Sequence, residues 1–126
     1  MLFTEKEIQT AIELKELGLP WEPQVGHYIY DRESILPQDS PFQEGVYYLL
    51  DIECFYEYLY HDLEAFQEKM VWLPDWEQMR TVLKSLQTSN KTIKEEIVKF
   101  EIFNKNEERL ALYQLCAENL RNKQNK

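Results

Sequence analysis

Glycine and proline are confined to the front of this chain. All three glycines (Gly18, Gly26, Gly45) and all five prolines (Pro20, Pro23, Pro37, Pro41, Pro74) fall within the first 87 of 126 residues. Glycine supplies left-handed backbone and proline removes a hydrogen-bond donor, so these positions mark where helices and strands end. Residues 88–126 contain neither: Thr88-Ser89-Asn90 reads as a linker, helix follows, and the terminal 121–126 reads as disordered. Charge divides at the same place. Residues 1–87 carry six Lys/Arg against seventeen Asp/Glu, a net −11, while residues 88–126 carry eight against six, a net +2. The chain reads as an acidic body over 1–87 followed by a helical extension over 88–126. That extension is either part of the same folding unit or an oligomerisation element.

Local signals define the elements of the body. Thr4 and Glu7 stand at capping-box spacing, with Phe3 and Ile8 at the staple positions. Ile8, Ala11, Ile12, Leu14 and Leu17 make an apolar stripe, and Gly18 stops the helix. Residues 26–31 and 45–51 are rich in aromatic and β-branched side chains bounded by Gly and Asp, which predicts an antiparallel pair. The connection between them, Arg32 to Glu44, is long for a hairpin, and long ordered connections often carry function. Asp51 caps a predicted helix through Cys54, Phe55, Tyr58 and Leu59, and Asp62 caps a short one over 63–69. Val71-Trp72-Leu73 reads as a third short strand. Asp75 opens a helix with Trp76, Met79, Val82, Leu83 and Leu86 at helical spacing. The expected fold is α+β, a small antiparallel sheet of two or three strands covered by helices, with a C-terminal helical segment. In that segment Asn104 and Glu107 stand at capping-box spacing, so residues 91–122 read equally as two helices or as one. A single helix would be about 48 Å long and would need a second chain to cover it.

Composition excludes several partners. Hydrophobic content of 44% with 13% aromatics is that of a globular chain. No apolar run approaches the roughly 20 residues that span a bilayer, which predicts no membrane partner. Met1-Leu2-Phe3-Thr4-Glu5 has neither a basic leader nor an apolar signal core, giving a cytoplasmic expectation. A net charge of −9 repels phosphate backbones, so no direct nucleic-acid binding is expected. Cys54 and Cys116 are too few and too far apart for a disulfide scaffold or a zinc pair, and their apolar neighbours predict buried, inert thiols.

No catalytic, cofactor or metal-binding set is predicted. His27 and His61 are the only imidazoles. Glu57 and His61 share a helical face at i, i+4, with Asp62 next to them. That polar group would suit a metal or acid–base role only if a further ligand came from elsewhere, and the spacing equally suits an ordinary surface pair. Asp31 with Glu33, and Asp51 with Glu53, are carboxylate couples whose default is a solvated acidic face. A general acid would need burial to raise its pKa. Tyr56, Tyr58 and Tyr60 alternate within a predicted helix and cannot all face one core. With Tyr47 they form a candidate interaction patch, since tyrosines offer large contact area at low entropy cost.

Leu17-Gly18-Leu19-Pro20-Trp21-Glu22-Pro23, Gly26-His27-Tyr28, Asp31, Val46-Tyr47-Tyr48-Leu49 and Trp72-Leu73-Pro74 with Gln78 and Leu83 occur in a fixed order. This resembles a group of small uncharacterised bacterial proteins that share Trp-x-Pro-x-x-Gly before a strand and Leu-Pro closing onto a helix. The resemblance covers about residues 14–86 and implies an α+β body without an assigned activity. The acidic composition and the Leu-Pro-Asp helix opening are also similar to bacterial toxin-immunity proteins, which sit on basic nuclease surfaces. The functional expectation is therefore a non-enzymatic protein-interaction module, of immunity or adaptor kind, with a basic protein partner. One alternative is a small metal-dependent or carboxylate-based hydrolase using Glu57, His61 and Asp62. The other is a structural protein forming a homo-oligomer through residues 91–122.

Overall fold

The computed structural model describes residues 2–36, 40, 43–50, 62–86, 91–92, 95 and 108–124. Among them the elements run α1 (Glu5–Glu16), β1 (Tyr28–Asp31), β2 (Val46–Tyr48), α2 (Leu63–Lys69), β3 (Met70–Leu73), α3 (Trp76–Ser85) and α4 (Glu108–Gln124). The fold is α+β, with one three-stranded antiparallel sheet in the order β2-β1-β3 and a C-terminal helix. The helix predicted after Asp51 and the predicted junction at Asn104-Lys105-Asn106 lie outside the described residues.

The chain forms two compact units that interleave along the sequence. A sheet unit comprises Met1–Phe3 and Pro20–Leu73, and a helical unit comprises Thr4–Leu19 and Pro74–Lys126. This cut crosses the charge boundary near residue 87, and it sorts the charge more sharply. The sheet unit holds two basic residues, Arg32 and Lys69, against eleven acidic ones, so it carries the entire net −9. The helical unit holds twelve of each sign and is neutral.

In the sheet unit β1 is the central strand. Ile29 stands opposite Tyr47 on one side and Trp72 on the other. The strand period of two places these residues on one face, where Ile29, Leu36, Leu49, Phe66 and Met70 form the core with Trp21, Ile35 and Tyr47 packed against it. Short α2 delivers Phe66 to that core, and the Gln67 side-chain amide donates to the Trp21 carbonyl at 2.6 Å. On the opposite face Val46, Val71 and Leu73 are also buried. Asp31 corrects the expectation of a solvated carboxylate. It is 4% exposed and accepts the backbone N–H groups of Ile35 at 3.0 Å and Leu36 at 2.7 Å. Two such bonds offset the desolvation of the carboxylate and set the start of the long connection. Further on, the Ser40 hydroxyl donates to the Val46 carbonyl, and Gln43 bonds both backbone groups of Phe3.

The helical unit follows its start signals. Thr4 and Glu7 make the reciprocal capping box of α1, Asp75 and Gln78 make that of α3, and Gly18 ends the first helix at φ 87°. Ala11, Ile12 and Leu14 are buried on α1, and Met79 and Leu83 on α3. Helix α4 packs on both. Leu110, Ala111, Leu112 and Tyr113 near its start are buried, and Leu115, Cys116, Ala117 and Leu120 continue the burial. Gln114, Glu118, Arg121 and Asn122 mark its exposed strip, and apolar residues occupy most of the remaining circumference. Buried Glu7, 4% exposed, accepts two bonds from Arg109, through Nε and through Nη2 at 3.0 Å. The fully buried Tyr113 hydroxyl donates to the Pro74 carbonyl, and Arg121 pairs with Glu13.

Candidate functional site

Of the candidate interaction patch and the candidate polar group, Tyr47 and Asp62 lie among the described residues. Tyr47 is half-buried on β2 and packs on the sheet-unit core. Asp62 is the N-cap of α2, its carboxylate accepting from the Glu64 and Ala65 N–H groups. Tyr56, Glu57, Tyr58, Tyr60 and His61 lie outside the described residues, as does Cys54. Cys116 is buried on α4, and burial pushes its thiol up to about 12. Among the described residues no three His, Cys, Asp or Glu side chains gather as a metal-binding group, and no helix is long and apolar enough to cross a membrane.

What the backbone does bring together is one end of the sheet. The Gly26 N–H donates to the Leu49 carbonyl at 2.8 Å, and the Leu49 N–H donates to the His27 carbonyl at 2.9 Å. Two residues of one segment thus oppose one residue of the other, which is a β-bulge with Gly26 at φ 96°. Val25 precedes this junction and is 63% exposed; Leu50 follows it and is 73% exposed. Tyr48, 37% exposed, spans the same corner. Its ring centroid lies 4.9 Å from that of Tyr28, and its hydroxyl is 3.7 Å from where a Gly26 Cβ would stand. Phe3 meets Tyr28 edge-on at 5.4 Å. Among the described residues of the sheet unit, Leu2 and Leu63 are exposed as well, and Val25 and Leu50 are the members of this corner that sequence reading missed. Tyr48 stood next to Tyr47 in sequence, and strand alternation is the signal that separates an inward ring from an outward one.

A rigid aromatic block stands behind the corner. Trp21 Nε1–H donates to His27 Nδ1 at 3.0 Å, the Trp21 and Trp72 rings lie 10° from parallel at 6.5 Å, and His27 stacks on Trp72 at 5.1 Å. The bond requires an unprotonated Nδ1, so His27 serves here as an acceptor that orients Trp21. Trp72 Nε1 is buried without an acceptor. Elsewhere on the sheet unit, α2 exposes Leu63, Glu64 and Glu68, and Lys69 pairs with Glu33 at 3.4 Å. Exposed pairs of this kind are worth little to stability. Their effect here is to occupy one of the unit's two cations.

On the helical unit a shallow cleft of about 160 Å³ runs along α3 between Glu77, Arg80, Thr81 and Lys84. The Arg80 guanidinium lies over the Trp76 ring at 4.6 Å. Its lining mixes both charge signs and selects no ligand class. The chain matches no protein-family profile, no curated protein and no solved structure.

Proposed function

We propose that this protein is a non-enzymatic docking module whose acidic sheet unit binds a basic protein surface, in an immunity or adaptor role in the cytoplasm. The observation that carries this reading is the partition of charge, with net −9 in the sheet unit and zero in the helical unit. Balanced charge is what a unit held by its own ion pairs displays, as in Glu7–Arg109 and Glu13–Arg121. Unbalanced charge on a folded unit raises its self-repulsion, and its physical return is the attraction and steering of an oppositely charged partner. The compositional likeness to toxin-immunity proteins supports the same reading.

The test begins with the full chain as bait in a native lysate at low ionic strength. The retained protein is identified, and its affinity is then measured by titration. A basic partner is expected, with Kd rising at least about tenfold between roughly 20 and 300 mM salt. Replacing Glu64 and Glu68 together by Gln is expected to weaken binding while the circular dichroism spectrum is kept. No retained protein at low salt, or a Kd indifferent to salt, counts against the proposal.

A further inference from the structure

We infer that the sheet corner formed by Val25, Tyr48 and Leu50 is the anchor of the docking surface, and that it receives an apolar side chain of the partner flanked by Lys or Arg. This rests on the docking reading above and adds the place and chemistry of contact. Three exposed apolar residues flank one backbone junction, where Gly26 and His27 bond Leu49. Interfaces draw most of their affinity from such a small apolar centre, with charge at the rim setting rate and orientation.

The corner is held in place before any partner arrives. Tyr48 is braced by Tyr28, which meets Phe3, and Phe3 is bonded through both backbone groups to Gln43. An anchor already ordered loses little entropy on binding. Charge decides what covers it. Two sheet units at net −9 each repel one another, which disfavours a second copy. A partner segment that is apolar at its centre and cationic at its edges complements both features at once.

The test uses the full ¹⁵N-labelled chain and three short peptides at low ionic strength. One has a Leu-Phe pair between runs of lysine, one has Ser-Ser in place of that pair, and one has the Leu-Phe pair between glutamates. The first peptide is expected to shift the amide signals of residues 24–26 and 48–50 and to bind about five- to tenfold more tightly than the second. The third is expected not to bind. Leu50→Ser is expected to remove that five- to tenfold advantage without moving the thermal midpoint, and Val25→Ser provides the same readout should the first variant misfold. Equal binding of the two lysine peptides, or shifts confined to other residues, overturns the anchor and leaves electrostatic docking standing. Failure of every lysine peptide to bind removes the docking reading itself. A dimer seen by sedimentation and abolished by Leu50→Ser overturns the choice of occupant.

Discussion

Asp31 and Gly45 show how single residues set the sheet unit. Asp31 sits at the end of the central strand and turns its carboxylate onto two backbone N–H groups, so its charge organises the chain and is not offered to solvent. Gly45 has φ 77°, and a Cβ there would lie 2.8 Å from Tyr30 Cε1. Gly45→Ala combines left-handed strain with a ring contact that must give way, and we expect a loss above about 1 kcal/mol, read as a lowered denaturant midpoint. Cys116 tests burial from the other side. With its thiol at about 12 and no exposure, it is expected to react with a thiol reagent at pH 8 only as fast as the protein opens, measured by mass spectrometry of the Cys116 peptide. The burial of that thiol was legible from its apolar neighbours. The burial of Asp31 was not, because an acid followed by Arg32 and Glu33 has the pattern of a solvated turn.

At the scale of elements, starts were the clearest signals. Capping boxes at Thr4–Glu7 and Asp75–Gln78 and the cap at Asp62 follow from side chains within three residues of one another, and each is present. What joins α1 to α4 was hidden, since Glu7 and Arg109 are 102 residues apart. Glu7 was readable as a capping residue and unreadable as half of a buried pair. Burial alone would raise its pKa, but the Arg109 bonds and charge, with the Thr4 bonds, outweigh that and hold it below the ordinary 4.5. A depressed native pKa adds stability above pH 4.5 and loses it as pH falls through the native value. Glu7→Gln leaves Arg109 without its counter-charge, so we expect a loss of about 2–3 kcal/mol at pH 7 and a shallower decline in acid, by urea unfolding at both pH values. Tyr113 mirrors this on the alkaline side. Burial lifts its phenol well above 10, so stability is full below pH 10 and falls above it as the unfolded chain ionises. Tyr113→Phe is expected to lose about 1–2 kcal/mol at pH 7, with the gap to the parent narrowing above pH 10. Helix α4 itself was recognisable as helix. Its packing on α1 and α3 was not, because an apolar surface wider than one stripe, broken only by the strip through Gln114 and Glu118, does not say which neighbours cover it.

For the whole molecule, charge is the property that sequence and structure divide differently. Along the chain the boundary falls near residue 87, with the acidic excess spread over the whole front. In the folded units α1 joins the helical unit, and the excess gathers on the sheet unit alone. The apolar residues of α4 are buried, while most of the remaining segment expected to pair with a second copy, 93–107, lies outside the described residues. The expected signature of partner binding is an association rate that falls steeply with salt while dissociation changes little, measurable by surface plasmon resonance on the partner recovered by capture.

The interleaving of the two units bears on how the chain is made. During synthesis α1 leaves the ribosome first, yet the guanidinium that pairs with Glu7 is added only at position 109. The sheet segment, Pro20 to Leu73, emerges unbroken in between and has its core residues together well before that. Folding on the ribosome should therefore proceed from the middle outward, with the first helix waiting for the last. A chain stopped at residue 107 is expected to keep a protease-resistant centre and to expose α1 to cleavage, which limited proteolysis of arrested chains would read.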